Sequence, residues 1–471
     1  MTKRGVFVQA LVNHLWAGTE NMRQSSENIE NMPIRGDSRV IFGWAMYDWA
    51  NSAYITTLAV AILPIYFAGV VVPPDGLEIR GTLYAAETLW GFMVSAAAFL
   101  VFIAAPTLGA IADFCCAKKR FLFFFCYLGV VSAAFLSFSK TGDVWLTMIL
   151  FVISQIGFVG ANVFYDAFLP QIAPEGKTDR ISSKGFAYGY VGGGLQFALA
   201  LGLLAGHEKI GLSEAEAARL GMLTAALWWG GFALVTVSLL REPRRMQALP
   251  EGFRRVPLCQ GYISLGISRV WETIRKLRKL RHLVLFLAAF LVYNEGIQTV
   301  IQMATIYGKQ ELHLTTTTLM MTLLLVQAVA FLGALLSAWI SERIGAKRAV
   351  IVTLTGWSGV VIYAYFIHSA TEYFVMGGIV GLVLGGSQAI SRSFYASIIP
   401  EGASAEFFGF YSVVSKFSAV WGPFIFAIIR HWTGSSRNSI LSLIFFFILG
   451  IILLSRVNEK EARKAGAELE L

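Results

Sequence analysis

The sequence predicts an all-α polytopic membrane protein: twelve transmembrane helices arranged as two pseudo-symmetric six-helix bundles, with both termini cytoplasmic. Three observations carry that prediction. The 471 residues are 56% hydrophobic and 14% charged, with a mean hydropathy of +0.63, whereas a soluble domain carries about 25% charged residues. Twelve apolar windows are each long enough to span, since a crossing helix needs roughly 20 residues to cover about 30 Å of hydrocarbon. These runs are continuous rather than alternating, which selects helices over a barrel. The third observation is an internal repeat. GAIADFCCAKKR (109–120) precedes AWISERIGAKRA (338–349) by 229 residues, and FYDAFLP (164–170) precedes FYASIIP (394–400) by 230.

Residues 1–38 come first. They are polar beyond Gly18, and their apolar patch from Val6 to Ala17 is interrupted by Gln9, Asn13 and His14. A signal peptide needs a cleaner apolar core and a small-residue cleavage site. The reading is a mobile cytoplasmic tail, with or without a short interfacial helix. The first bundle, 39–240, holds the windows 40–72, 88–112, 121–139, 144–170, 185–206 and 220–240. A basic cytoplasmic linker follows at 241–282. Its segment SLGISRVWETIRKLRKLRHL places Leu265, Ile267, Val270, Trp271, Ile274 and Leu277 near one face, opposite basic residues. That is either a helix lying on the membrane surface or a solvated basic loop. The second bundle, 283–455, holds 283–308, 314–341, 349–367, 373–400, 407–429 and 438–455, and a tail at 456–471 closes the chain.

Orientation follows from the basic residues. Linkers after even-numbered windows contain 20 Lys and Arg, including Lys118, Lys119, Arg120, Arg343, Lys347 and Arg348, and those after odd-numbered windows contain seven. The excess marks the cytoplasmic side. The formal net charge of +9 therefore meets anionic lipid rather than nucleic acid. Cys115, Cys116, Cys126 and Cys259 lack zinc-type spacing and are read as reduced thiols. No metal site or cofactor is expected.

Only five Asp, Glu, Lys or Arg residues lie inside the twelve windows: Asp48, Asp166, Glu295, Arg392 and Lys416. A charge at mid-bilayer costs at least about 2.5–3.5 kcal/mol, so each implies a partner or a pathway. Asp48 lies about 12 Å into its window and Glu295 about 18 Å, at the helical rise. Polar neighbours recur at helical spacing. Tyr47 and Asn51 flank Asp48, Asn162 joins Asp166, Gln298 and Gln302 join Glu295, and Gln388 and Tyr395 join Arg392. The alternative reading is a structural lock between the halves, with Asp166–Arg392 as its pair. Lys416 is read as a structural contact to helix 2 or helix 10. The runs Gly192–Gly194 and Gly377–Gly386 are read as helix packing surfaces.

The acidic-then-basic turn of Asp113 and Lys118, repeated as Glu342 and Lys347, resembles the cytoplasmic turn motif of the major facilitator superfamily, with Cys116 in place of its glycine and Gly345 retaining it. More narrowly, YDWANSAY (47–54), FYDAFLPQIAP (164–174), GYVGGG (189–194) and YNEGIQTVI (293–301) resemble the vacuolar-effluxer-like, "unknown major facilitator" family in its bacterial branch. So do GGSQAISRSFYASIIP (385–400) and AEFFGFYSVVSKFSAVWGP (405–423). The resemblance implies that helices 1, 4, 7 and 10 line a central cavity, and these carry Asp48, Asp166, Glu295 and Arg392, one each. It also implies that Asp113 and Glu342 latch one conformation through helix N-termini and basic groups. Fungal members of the family are associated with amino-acid export from the vacuole.

The expected function is secondary active transport by alternating access in the cytoplasmic (inner) membrane. The substrate would be a small polar or zwitterionic solute, amino-acid-like by resemblance, and a proton is a candidate coupling ion. Arg392 would hold an anionic group, and Asp48 or Glu295 an ammonium or a proton. A monomer is expected. Without a nucleotide-binding P-loop, ATP drive within the chain is disfavoured. A membrane-embedded enzyme is disfavoured too, since HExxH and GxSxG are absent and all six histidines fall outside the windows. A transport-fold sensor or lipid-handling protein is the alternative.

Overall fold

The computed structural model describes residues 35–84, 86–115, 117–242, 271, 275, 280–400, 403–418 and 421–468. The N-terminal tail to residue 34, Cys116, Cys259 and most of the linker segment expected at the membrane surface lie outside them. Among the described residues, eleven helices are long and apolar enough to cross a membrane. They form ten helices in register with the first ten windows, plus the last one.

The first bundle contains α1 (Ser38–Val71), α2 (Ala86–Cys115), α3 (Lys118–Leu136), α4 (Val144–Ile172), α5 (Thr178–Ala205) and α6 (Glu214–Leu239). Asp37 caps α1, its carboxylate accepting from Arg39 N at 2.8 Å. Beyond Ala53, α1 widens into π-helix over Tyr54–Ile62 and again over Phe67–Val71. Pro64 stands between the two stretches; it offers no N–H, and its ring crowds the preceding turn. Between α1 and α2, β1 (Leu77–Ile79) pairs antiparallel with β2 (Thr82–Tyr84). Arg80 and Gly81, at φ of 53° and 80°, form the two-residue turn with positive φ that suits a tight hairpin. Ser213 and Glu216 close a capping box on α6.

The second bundle contains α7 (Arg281–Gln310), α8 (Thr316–Ile344), α9 (Ala346–Phe366), α10 (Ala370–Ile398), α11 (Ser404–Phe417), α12 (Trp421–Thr433) and α13 (Ser436–Ser455). A short α14 (Glu459–Ala467) ends the described chain. Within the eleventh window, 407–429, the described residues form α11 up to Phe417 and α12 from Trp421, and residues 419–420 lie outside them. Pro423 falls in the first turn of α12, where a missing N–H costs nothing. Both helices have side-chain partners on α7: Asn294 Nδ2 donates to Ser418 Oγ, and Gly422 N donates to Glu295 Oε1 at 2.5 Å.

Gly36 N bonds to Ile172 O at 2.9 Å, Arg241 pairs with Asp37 at 3.6 Å, and His282 at the start of α7 pairs with Glu461 of α14 at 2.8 Å. Both ends of the described chain therefore lie on one face, the terminus face, and the β1–β2 hairpin lies on the opposite, far face. Within the second bundle α8 packs along α10; a Cβ on Gly385 would stand 2.2 Å from Ala330 O, so only glycine permits that approach. Between bundles, α5 packs on α8 and α10, and α2 packs on α11. Large apolar side chains such as Phe99, Ile149, Leu227 and Phe445 remain exposed on the outside, as a hydrocarbon solvent requires.

Candidate functional site

Arg392 of α10 is the centre of the interface between the bundles. Its side chain is 4% exposed, and four hydrogen bonds use the guanidinium fork. Nη1 donates to Asp48 Oδ2 of α1 at 3.1 Å and to Asp166 Oδ1 of α4 at 3.2 Å. Nε donates to Ser182 Oγ at 3.0 Å and Nη2 to Ser182 O at 2.8 Å, both on α5. The planes of Phe186 and Trp44 flank the cation, with ring centres 4.0 and 5.0 Å from Cζ, an arrangement that suits a delocalised guanidinium. Tyr165 donates to Asp48 Oδ2 at 2.7 Å and stacks on Trp44. Gly185 lets the triad form: a Cβ there would stand 2.7 Å from Asp48 Oδ2 and 2.9 Å from Arg392 Nη2.

The triad therefore joins three of the five intramembrane charges, one basic group from the second bundle between two acids from the first. Removing the Arg392 guanidinium from this buried set leaves two uncompensated carboxylates, at a cost of about 3–5 kcal/mol. Ser182, Phe186, Trp44 and Tyr165 were not singled out from the sequence. Tyr165 adjoins Asp166 in the FYD motif, which is a signal that could have found it. Ser182 carries none, since its role depends on how α5 crosses α10.

Toward the far face, polar side chains continue from the triad. Asn51 Nδ2 donates to Asn162 Oδ1 at 2.7 Å. Tyr190 donates to Gln388 Oε1 at 2.6 Å, and Gln327 Nε2 to Thr56 Oγ1 at 3.0 Å, each joining one bundle to the other. Thr56 lies in the π-helical part of α1, where widened turns often mark function. Gln298 is half-buried and Gln302 exposed on α7. Tyr47 is buried against Tyr165, 5.0 Å between ring centres. Tyr395 stands apart from Arg392: its hydroxyl donates to Phe407 O at 2.6 Å and its ring stacks on Tyr411. Glu295 also stands apart from Arg392, its Oε1 accepting from Gly422 N of α12. The Lys416 side chain lies outside the described residues.

At the terminus face, a second set of contacts closes the bundles together. Asp113 at the end of α2 pairs with Lys118 at 2.7 Å and accepts from Glu406 N, in the first turn of α11, at 2.9 Å. A carboxylate is favoured there by the helix dipole. Lys118 Nζ reaches Ser404 Oγ at 2.8 Å, and Ser404 donates to Ala167 O. Glu242, just beyond α6, accepts from the N–H groups of Lys118 and Lys119, and its burial raises its pKa above the usual carboxylate value.

The repeat in the second bundle works differently. Glu342 is exposed, one residue from the position that engages. Its neighbour Ser341 donates to Asp179 of α5, which also accepts from Ser393 at 2.5 Å. Lys347 turns away, to Ser455 O and Val457 O at 2.6 and 2.7 Å. The crossing acid thus comes from the first bundle on both sides. The hydrogen bonds and ion pairs that these side chains make between the bundles run from the terminus face to about mid-helix.

Comparison with known proteins agrees with this architecture. Residues 37–467 match the family described as "Vacuole effluxer Atg22 like". The uncharacterised MFS-type transporter YxiO of Bacillus subtilis (strain 168) is 33% identical over 420 residues, covering 88% of this chain and 94% of that one. Autophagy-related protein 22 of Kluyveromyces lactis is 23% identical over 375 residues, 75% of each chain. Among solved structures, the human organic anion transporter MFSD10 aligns with a TM-score of 0.67 at 15% identity, covering 88% of this chain and 99% of that one. The proton:xylose symporter XylE aligns at 0.68 and 14% identity, covering 91% and 98%. The protein is a multi-pass integral membrane protein of the major facilitator fold, and it belongs to the Atg22-like vacuole effluxer family of MFS-type transporters.

Proposed function

We propose that the protein is a secondary active transporter for a small polar or zwitterionic solute, amino-acid-like in its charged groups, coupled to protons and acting as a monomer. The observation that carries this reading is the Arg392–Asp48–Asp166 triad, buried between the bundles at the end of a polar path. Four of the five N–H donors of Arg392 are taken in the arrangement described, which leaves no pair free for a bidentate carboxylate. A solute carboxylate can take a place on its fork only if one carboxylate of the triad leaves, and protonation of that carboxylate is the simplest way to release it. Release also loosens the tie between bundles, so proton uptake, solute binding and opening of the terminus face are linked. The solutes named for the two structural neighbours differ, an organic anion and a sugar, so the fold itself does not select a substrate.

The test is flux. Purified protein in liposomes, screened with amino acids, short peptides and sugars, is expected to give saturable uptake of a zwitterionic solute. That uptake should rise with an imposed pH gradient. Uptake of an uncharged sugar alone would overturn the zwitterion assignment.

We further infer that the terminus face is cytoplasmic and that the membrane is the inner one, on the strength of the 20-to-7 distribution of Lys and Arg between the two sets of linkers. Reporter fusions after Gln260 and Arg456 should read cytoplasm, and one after Glu311 should read outside. A periplasmic signal after Gln260 reverses the orientation.

A further inference from the structure

On the terminus face, away from the triad, a recess of about 760 Å³ opens between the start of α9, the end of α13 and α14. Lys347, Arg348, Arg456, Lys460 and Arg463 line it, with Glu459 as the one acid. Lys347 and Arg463 are engaged, Lys347 by the carbonyls ending α13 and Arg463 by Glu459 at 2.7 Å. The side chains of Arg348, Arg456 and Lys460 are exposed and make no ion pair among the described residues. Three cations from the ends of three helices thus line one opening whose one acid, Glu459, is taken by Arg463. Such convergence carries a repulsive cost that an anion removes.

The recess stands at the edge of the bilayer. One turn deeper than Arg348 on α9 lies Val352, 49% exposed, and one turn deeper than Arg456 on α13 lies Ile452, 44% exposed, followed by Ile448 at 47%. Each arginine therefore crowns an apolar track facing the hydrocarbon. We propose that this recess binds the phosphate headgroup of an anionic lipid from the leaflet on the terminus side, with its acyl chains along α9 and α13. Free phosphate would satisfy the cations, but it would leave those tracks to any neighbouring lipid.

The site has a structural consequence. α14 lies across the ends of α7 and α10: Asn458 N donates to His282 Nδ1 at 3.2 Å, and a Cβ on Gly466 would stand 2.4 Å from Ile398 O. A headgroup shared by Lys460, Arg348 and Arg456 fastens α14 to α9 and α13, and so steadies the end of the helix that carries Arg392.

The experiment uses the full chain in nanodiscs of phosphatidylcholine alone, of phosphatidylcholine with phosphatidylglycerol at about two parts to one, and of phosphatidylcholine with added inorganic phosphate. Thermal midpoint and lipid retained in native mass spectrometry are read for the wild type and for Arg348→Gln/Arg456→Gln/Lys460→Gln. Phosphatidylglycerol should raise the wild-type midpoint, and the triple variant should lose that increment. Retention should fall roughly fivefold for each charge removed. An increment as large in the variant as in the wild type overturns the site. An equal increment from inorganic phosphate overturns the lipid and assigns a free anion. Should the variant melt lower in phosphatidylcholine alone, Arg348→Gln and Lys460→Gln singly give the same ratio without a change in baseline.

Discussion

Arg392→Ala is expected to lower transport by at least about 100-fold, because it removes the cation that pairs with two buried carboxylates, a loss of about 3–5 kcal/mol. Part of that loss is stability, so the variant should melt well below the wild type. Arg392→Lys separates charge from geometry. An ammonium is a compact point charge without the planar fork, and it cannot serve Ser182 twice while reaching both Asp48 and Asp166. It should fold nearly normally and bind solute at least about tenfold more weakly, the cost of one or two charge-assisted hydrogen bonds. The neutral set Asp48→Asn/Asp166→Asn/Arg392→Gln leaves no orphan charge. Its melting should return close to the wild type while flux stays absent. Wild-type flux in that variant would make the triad a purely structural lock, the alternative that the sequence left open.

Asp48→Asn should abolish accumulation driven by a pH gradient and leave solute exchange within about twofold of the wild type. An amide keeps the shape of the carboxylate and can still accept from Tyr165, now 2.7 Å from Asp48 Oδ2, while Arg392 keeps Asp166 at 3.2 Å. The substituted side chain cannot exchange a proton. Loss of exchange together with gradient drive would place Asp48 in solute binding or in the fold. Full gradient-driven uptake would remove it from coupling, and Asp166→Asn, measured the same way, identifies which acid carries the proton.

Much of this site is legible in the sequence, for a physical reason. An ionised group in hydrocarbon is expensive enough that few survive, so five positions in twelve windows narrowed the search, and sign alone paired Arg392 with Asp166. Rotation around each helix was harder to read. Tyr395, three residues from Arg392, shares roughly its side of α10 but turns far enough to bond Phe407 O. Glu342 missed the crossing position by one residue, about 100° of helix, and Ser341 occupies it. The depth and charge of Glu295 are legible in the sequence, whereas its hydrogen bond from Gly422 N depends on how α7 packs on α12 and is not. Ser182, Gln327 and Asp179 act across the bundle interface, where a single chain's periodicity carries no information.

The central claim is that the bundles exchange a closed terminus face for a closed far face, and that the triad holds the first of these closed. Spin labels at Arg180 and Glu342 report the terminus face, and labels at Glu208 and Thr317 report the far face, all four positions being exposed. Electron–electron resonance distances for the two pairs, in the wild type and in the Asp48→Asn/Asp166→Asn/Arg392→Gln variant, test the claim without knowledge of the substrate. The variant should lengthen the terminus-face distance and shorten the far-face distance together. Distances that stay fixed, or that lengthen on both faces at once, would contradict it.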